Sequence, residues 1–237
     1  MKKLLEKIKQ ELFADEFVCL CCGDERFNSD FGYLCKNCYD KITFITHPCQ
    51  KCGDETGGFD AFCENCRSKD VSHKFDKAYA VAKYAGTAKE LVYSLKYGKN
   101  RYVAKIIIDF LLRKFDEIGE PFDVIIPVPL GQKRLKKRGF NQAEVLARGI
   151  ASERNIILDV SSFIRAKETR TQTDMTKLAR AENVKNAFAV TDRDGIKGKK
   201  ILLLDDIVTT GATTDEISRL LLKKGAKSVS VLAFCHA

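Results

Sequence analysis

The sequence predicts an α/β protein with a mainly parallel sheet, preceded by a small metal-binding module. Nine of the ten cysteines lie between Cys19 and Cys66. From Phe75 onward, strand-like and helix-like segments alternate, which is typical of a parallel sheet covered by helices. The length of 237 residues fits one domain of roughly 150 to 170 residues plus a small module.

The composition indicates a soluble protein with a real core, since 45% of the residues are hydrophobic and 31% are charged. No uninterrupted apolar stretch approaches the ~20 residues of a membrane-spanning helix. The N-terminus is charged and lacks the apolar region of a secretory signal. We therefore expect a cytoplasmic protein without membrane insertion, beginning with an amphipathic helix over residues 1–18 whose apolar face is formed by Leu4, Leu5, Ile8 and Leu12.

The charge is distributed unevenly along the chain. Residues 1–70 contain 10 basic and 13 acidic side chains, whereas residues 71–237 contain 31 basic and 19 acidic ones. A basic excess in one part favours a polyanionic partner, either nucleic acid or a phosphorylated small molecule. A merely charged, solvated surface is the alternative interpretation.

Four Cys-x2-Cys pairs within residues 19–70 predict a double zinc ribbon. Because cytosolic thiols stay reduced, clustered cysteines in a cytosolic protein are more typical of metal binding than of disulfide bonds. Eight thiolates suffice for two tetrahedral four-cysteine sites. The predicted zinc ligands are Cys19, Cys22, Cys35, Cys38, Cys49, Cys52, Cys63 and Cys66.

An internal repeat predicts how the cysteines pair. The Cys-x2-Cys-Gly-Asp-Glu sequence at residues 19–25 recurs at residues 49–55, so we expect each unit of about 30 residues to hold one zinc. A cross-braced arrangement is the alternative. Cys21 aligns with Lys51 and is therefore not a predicted ligand. With all four positions filled by thiolates, the zinc would be structural and would supply folding free energy.

The predicted domain over residues 71–237 contains alternating strands and helices. Its closing strand is followed by Cys235, which we expect to be a core or free thiol. The strands are predicted at 75–84, 123–127, 200–205 and 228–234, and the helices at 87–97, 102–115, 141–153 and 213–224.

The segment from Ile201 to Thr213 carries the strongest chemical signal. An apolar strand is expected to end in Asp205 and Asp206, and a loop of small residues then leads into a helix. Backbone amides at a helix N-terminus bind phosphate, and Gly211 permits a close approach. Carboxylates accept hydrogen bonds from vicinal hydroxyls or hold Mg²⁺, so the segment predicts a ribose 5-phosphate site. The alternative is a capped helix whose threonines merely pack.

This segment resembles the signature with which type I phosphoribosyltransferases bind 5-phosphoribosyl 1-diphosphate. The resemblance implies that Asp205 and Asp206 are the catalytic carboxylates facing the ribose hydroxyls, with Mg²⁺ as a cofactor. It also implies that the 5-phosphate is held by Thr209, Thr210, Gly211, Ala212 and Thr213.

A second segment, residues 127–142, is predicted to be a loop with a dense basic cluster. Five of the six residues from Lys133 to Arg138 are basic, which suits a diphosphate or a nucleic-acid backbone. A third polar and basic segment extends from Arg165 to Phe188. Solvated loop charge is the alternative for either segment taken alone.

Taken together, the CxxC pairs, PVP, RGFNQ and LLLDDIVTTGAT resemble the ComF family, the ComFC- or GntX-like proteins of bacteria. By position, the resemblance places Arg134, Arg138, Asn141 and Gln142 on the diphosphate side of a substrate site. It places Thr169, Gln172 and Arg180, which belong to the segment from Arg165 to Phe188, on another side of the same site.

The family resemblance leaves three hypotheses for function. The first is a role in single-stranded DNA uptake during natural transformation, with a helicase-like partner. The second is an active phosphoribosyltransferase whose acceptor is unidentified, acting in nucleotide or nucleoside metabolism. The third is a non-catalytic sensor of phosphoribosyl diphosphate. Few aromatic residues are interleaved with the basic cluster, where only Phe140 is adjacent, so base stacking is not evident from the sequence.

Overall fold

The structure is a computed structural model that describes residues 18–24, 33–68, 72–98, 102–166 and 184–237. The predicted N-terminal helix over residues 1–18 lies almost wholly outside the described residues. Each described helix is too short or too polar to span a lipid bilayer. The strands are, in chain order, β1 (Ala78–Lys83), β2 (Val124–Pro127), β3 (Ile157–Leu158), β4 (Phe163–Arg165), β5 (Phe188–Val190), β6 (Lys200–Val208) and β7 (Ser228–His236).

Five of these strands form one parallel sheet in the order β1-β7-β6-β2-β3, and β4 pairs with β5 in a small antiparallel sheet. The predicted mainly parallel α/β fold is therefore confirmed. The described helices are α1 (Lys36–Asp40), α2 (Glu64–Arg67), α3 (Gly86–Tyr97), α4 (Val103–Ile118), α5 (Gln132–Arg138), α6 (Gln142–Arg154) and α7 (Ala212–Lys223).

The central strand β6 separates two apolar cores because its side chains alternate between the sheet faces. Leu202 and Leu204 pack with helices α3, α4 and α6. Ile201 and Leu203 pack with helix α7 and with the small β4-β5 sheet. All four side chains are fully buried, as expected for a strand covered on both faces.

Strand β6 extends three residues beyond its predicted end. It continues to Val208, which pairs with His236 of β7, so Asp205 and Asp206 lie inside the strand and not at its tip. Backbone pairing with β7 explains the extension, because each paired residue keeps its ladder hydrogen bonds. The extension does not separate the two adjacent carboxylates, since both of them line one cleft at this end of the sheet.

The basic segment after Gly131 forms helix α5, whereas we expected a loop. Lys, Arg, Gln and Leu are all good helix formers, which favours a helix here. Gly139 ends the helix in a left-handed conformation, with φ of 84°, and its N–H donates to the Leu135 carbonyl at 2.7 Å. The helix leaves Lys133, Lys136 and Lys137 exposed while Arg134 and Arg138 are partly buried.

The cysteine-rich segment packs against strand β1. The Lys83 N–H donates to the Thr43 carbonyl at 2.8 Å, and the Ile45 N–H donates to the Val81 carbonyl at 3.0 Å. Further along the strand, a Cβ on Gly53 would lie 2.6 Å from the Ala78 carbonyl oxygen. The free edge of the sheet at β1 is thus covered, which removes a site for unwanted strand pairing.

Candidate functional site

The eight predicted zinc ligands form two clusters, each drawn from one sequence repeat. Within each cluster the four sulfur atoms lie within 4.8 Å of one another. The Sγ atoms of Cys22 and Cys35 are 3.7 Å apart, and those of Cys52 and Cys63 are 3.5 Å apart. A tetrahedron with Zn–S bonds of ~2.3 Å has S···S edges of roughly 3.8 Å, so both clusters fit zinc. The four-cysteine clusters are Cys19, Cys22, Cys35 and Cys38, and Cys49, Cys52, Cys63 and Cys66.

Backbone amides favour the thiolate form of the first cysteine in each cluster. Burial raises the pKa of Cys19, but hydrogen bonds from the amides of Cys22, Cys35 and Cys21 outweigh it and lower the pKa to about 7. The corresponding amides lower the pKa of Cys49 to about 7 in the same way. A thiolate is the form that binds metal.

Cys21 lies outside the first cluster. Its thiol donates to a carboxylate oxygen of Glu90 at 3.6 Å, and burial raises its pKa to about 11. A protonated thiol that serves as a hydrogen-bond donor is a poor metal ligand, which agrees with its omission from the predicted set.

A polar cleft of about 480 Å³ lies at the carboxyl ends of the parallel strands, where ligands bind in open α/β sheets. Several of the predicted site residues border it together. Its lining comprises Tyr84, Lys96, Val128, Pro129, Leu130, Arg134, Gln142, Arg165, Asp205, Asp206, Ile207, Val208, Thr209, Thr210, Gly211, Ala212, Thr213 and Thr214.

The two aspartates of the cleft have different environments. Asp206 is 2% exposed; it forms an ion pair with Lys96 and accepts a hydrogen bond of 2.9 Å from the Gln142 amide. Asp205 is partly exposed, and its Oδ1 accepts the Asp206 N–H at 2.8 Å. Burial, followed by repulsion from Asp206, raises the pKa of the Asp205 carboxyl. Asp206 is thus already paired, whereas Asp205 faces a site where a cation or a hydrogen-bond donor would stabilise its charge.

The loop between β6 and α7 forms one wall of the cleft. Gly211 is the N-cap of α7, with φ of 75°, and its carbonyl accepts the Thr214 hydroxyl at 2.9 Å. In any α-helix the first-turn N–H groups have no intrahelical acceptor, and here they lie at the cleft. The loop residues Thr209 to Thr213 therefore form a geometry suited to an anion.

His73 supports this loop from behind. Its Nδ1 lies 2.7 Å from a carboxylate oxygen of Asp215 in the first turn of α7, and its ring stacks on Phe75 with centroids 4.6 Å apart. A Cβ on Gly211 would lie 2.9 Å from the His73 ring. The segment that links the cysteine clusters to β1 thus positions the loop.

The basic wall of the cleft is built on α5 and α6. Arg134 borders the cleft, and the Arg138 guanidinium donates to the Gln142 side-chain oxygen. Asn141 caps α6 by accepting the Ala143 N–H at 3.2 Å, and its amide donates to the Val128 carbonyl at 3.0 Å. Arg134 thus faces the cleft directly, while Arg138 and Asn141 hold neighbouring groups in position.

Three predicted site residues, Thr169, Gln172 and Arg180, lie outside the described residues, so their roles stay predictions. Conversely, Lys96 and Tyr84 line the cleft although no sequence pattern predicted them, and Arg165 lines it at the start of the predicted third polar segment. Lys96 occupies an ordinary position at the end of a helix, and no local motif marks it. The available signal was indirect: a carboxylate pair on a buried strand requires a nearby cation.

Comparison with known protein families shows which class of protein this chain belongs to. The family model of the phosphoribosyl transferase domain matches residues 95–237, which is more than half of the chain. That range contains the sheet strands β2, β3, β6 and β7 and the loop after β6, while β1 and the cysteine clusters precede it.

Curated relatives narrow the class further. The chain is 30% identical over 224 residues to the DNA utilization protein YhgH of Salmonella typhi, covering 92% of this chain and 96% of the relative. It is 28% identical to competence protein F of Haemophilus influenzae, with 93% and 97% covered, and 26% identical to the Bacillus subtilis competence protein ComFC, with 92% and 94% covered. The chain therefore belongs to the ComF family of phosphoribosyl transferase-domain proteins, as its motifs predicted.

Proposed function

We propose that the cleft binds 5-phosphoribosyl 1-diphosphate together with Mg²⁺, and that the protein uses this site in the uptake of single-stranded DNA on the cytoplasmic side of the membrane. The family membership supports the first part. The names of the Haemophilus and Bacillus relatives, both competence proteins, support the second. The two zinc clusters serve as structural elements in this proposal.

The observation that carries the proposal is the combination of an acidic side chain and an anion site in one cleft. Asp205 borders the same cleft as the N-terminus of the 12-residue helix α7. A ribose phosphate has vicinal hydroxyls and a dianionic phosphate on one small molecule, so it complements both groups at once.

Each wall of the cleft has a role in this proposal. The amides and hydroxyls of residues 209–213 hold the 5-phosphate, Asp205 accepts hydrogen bonds from the ribose hydroxyls, and Arg134 faces the diphosphate. Mg²⁺ would supply charge neutralisation for the diphosphate, with Asp205 as the protein carboxylate available to it. Asp206 positions Lys96 and Gln142, and Thr169, Gln172 and Arg180 remain candidates for further contacts.

Calorimetric titration of phosphoribosyl diphosphate with Mg²⁺ into the zinc-loaded protein tests the proposal. We expect saturable, Mg²⁺-dependent binding that is lost in Asp205→Asn/Asp206→Asn and in Asp205→Asn alone. A matched control, Asp109→Asn/Asp116→Asn, removes two exposed carboxylates from α4 and should bind like the wild type. Absence of heat in folded wild type would refute the sugar-phosphate site.

A turnover assay separates an enzyme from a sensor. Release of diphosphate in the presence of a nucleobase panel, lost with Asp205→Asn, would establish a phosphoribosyltransferase. Binding without any release of diphosphate across the panel would favour the sensor.

The role in DNA uptake is tested by complementation of a Haemophilus influenzae strain that lacks competence protein F. Restored transformation by wild type, but not by Asp205→Asn, is the expected result.

A further inference from the structure

Helix α3 presents two tyrosines to solvent beside the cleft. Tyr93 is 63% exposed and Tyr97 is 61% exposed, and their ring centroids are 5.0 Å apart. The core face of the helix is formed by other side chains, including Leu91 and Leu95. Two large aromatic rings on the outer face, one turn apart, therefore add nothing to the core of the protein.

The tyrosines lie next to the basic helix α5. The Arg138 guanidinium is positioned over the Tyr97 ring, 5.2 Å from its centroid. Helix α5 has five basic residues among seven and no acidic one, and Lys136 and Lys137 are exposed. Sequence separation hid this arrangement, because about 40 residues lie between the tyrosines and the cations.

This surface is continuous with two sites already described. At one end, Lys96 next to Tyr97 pairs with Asp206 of the cleft. At the other end, Glu90, one turn before Tyr93, accepts the thiol of Cys21 beside the first cysteine cluster. The two tyrosines thus lie on α3 between its contact with Cys21, beside the first cysteine cluster, and its contact with Asp206 of the cleft.

We propose that this surface, which we call the α3-α5 surface (Tyr93, Tyr97, Lys136, Lys137 and Arg138), binds single-stranded nucleic acid. Unpaired bases stack on the tyrosine rings, which accept any base because every base has an aromatic face. The cations of α5 contact the phosphates. The charge favours this occupant over an apolar protein segment, since the exposed ammonium groups of Lys136 and Lys137 would lose their hydration against such a segment without gaining a counter-charge. The proposal deepens the proposed DNA role and rests on it.

Fluorescence anisotropy with a labelled oligo(dT) of about 20 nucleotides tests the surface. We expect Tyr93→Ala/Tyr97→Ala to weaken binding by at least roughly ten-fold, and Tyr93→Ala alone by about five-fold, because each stacked base contributes substantially. Tyr93→Phe keeps the stacking face and should bind like the wild type. The control Phe59→Ala removes an aromatic ring that is 96% exposed in the cysteine-rich segment and should leave binding unchanged.

Salt dependence separates stacking from charge. For single strands, each phosphate contact adds about 0.7 to the slope of log affinity against log salt. Lys136→Gln/Lys137→Gln should therefore lower that slope by roughly 1.4, whereas Tyr93→Ala should leave it unchanged. The matched pair Lys223→Gln/Lys224→Gln removes the same charge from the exposed end of α7 and should keep the wild-type slope.

Three outcomes would refute the proposal that the α3-α5 surface binds single-stranded nucleic acid. They are no oligonucleotide binding by wild type, wild-type affinity in Tyr93→Ala/Tyr97→Ala, and equal effects of the two lysine pairs. Titration of the same wild-type protein with phosphoribosyl diphosphate distinguishes the failures. Sugar-phosphate binding without oligonucleotide binding would refute only the nucleic-acid role of the α3-α5 surface. Oligonucleotide binding without sugar-phosphate binding would refute only the proposed sugar-phosphate site.

Discussion

The two cysteine clusters and the polar cleft gather their side chains from very different lengths of chain. Each cluster takes four sulfurs from a segment of about twenty residues. The cleft takes Tyr84, Lys96, Arg134, Gln142 and Asp205 from segments spread over more than half of the protein. The clusters therefore depend on local spacing, whereas the cleft depends on the order of strands in the sheet.

The clusters and the cleft also differ in how completely their polar groups are satisfied. Each cluster offers four thiolates, which fill every position of a tetrahedral zinc and leave no place for substrate. The cleft leaves Asp205 partly exposed and the first turn of α7 open to it. Closed sites stabilise a fold and open sites bind ligands, which is why we assign structure to the clusters and function to the cleft. Four experiments test that comparison.

The largest effect is expected from removing a zinc site. Each four-cysteine cluster fits one zinc, so Cys49→Ser/Cys52→Ser should halve the zinc content and sharply lower the thermal stability, because structural zinc contributes on the order of 10 kcal/mol. Cys49 and Cys52 also pack in the core beneath α7. Zinc content by mass spectrometry and thermal melting measure both effects.

The control for the zinc experiment is Cys21→Ser. Cys21 bonds to Glu90 and lies outside the cluster, so this variant should retain both zinc ions. Loss of a zinc from Cys21→Ser, or retention of both in the double serine variant, would contradict the ligand assignment.

The next largest effect is expected at the buried ion pair of the cleft. Lys96→Met leaves the Asp206 carboxylate buried without its cation, which should lower the free energy of unfolding by about 3 kcal/mol. Urea denaturation measures this loss. Adding Asp206→Asn should recover part of it, since the charge that lacked a partner is then removed.

Lys89→Met serves as the control on the same helix, because Lys89 is exposed and its loss should change stability by no more than about 0.5 kcal/mol. Equal effects of the two lysine variants would show that the Lys96–Asp206 pair does not organise the cleft.

A smaller effect is expected at the loop before α7. Gly211→Ala places a Cβ on a residue with positive φ and 2.9 Å from the His73 ring, so it should cost the strain of a left-handed residue, about 1–2 kcal/mol, plus the steric contact. Gly139→Ala has positive φ with no atom near the new Cβ and reports the strain alone. Urea denaturation of both variants gives the difference, and a Gly211→Ala no less stable than Gly139→Ala would exclude His73 as the support of the loop.

The smallest effect is expected at Glu216, which connects α7 to the small sheet. Its carboxylate accepts the Asn186 N–H at 3.0 Å, and hydrogen bonding from Arg219 lowers its pKa. Because the Glu216 carboxyl has a lower pKa in the folded state than in the unfolded state, its charge stabilises the folded protein above the unfolded pKa of ~4.3. This contribution is lost as the pH falls through the folded pKa. Glu216→Gln should therefore cost about 1 kcal/mol at pH 7 and almost nothing at the acid end.

Denaturation curves from neutral pH to about pH 3 measure this dependence. Glu144→Gln, which removes a more exposed carboxylate paired with Arg148, should cost less than about 0.5 kcal/mol. A pH-independent cost of Glu216→Gln would show that its charge is not the stabilising property.

Much of the fold was predictable because its signals are local. The apolar run of β6 and the helical spacing of α3, α4 and α6 each depend on neighbouring residues, and their predicted bounds lie within a few residues of the structure. The cysteine pairing was predictable for the same reason, since a repeat carries its ligands with it. The loop predicted over residues 127–142 was wrong for residues 132–138, which form helix α5 because Gln, Lys, Arg and Leu all favour a helix.

The sequence by itself determined the two cysteine clusters and the acidic strand followed by a small-residue loop, because each is encoded within about thirty consecutive residues. It also determined the parallel α/β fold, because the periodicity of each strand and helix depends on neighbouring residues alone. Only the tertiary structure decided that Asp205 and Asp206 have separate partners, that Lys96 belongs to the cleft and that Tyr97 lies beneath Arg138. Those contacts join residues about 40 to 110 positions apart. Such contacts form because some neighbouring strands of the sheet are not neighbours in the sequence, so no local sequence pattern predicts them.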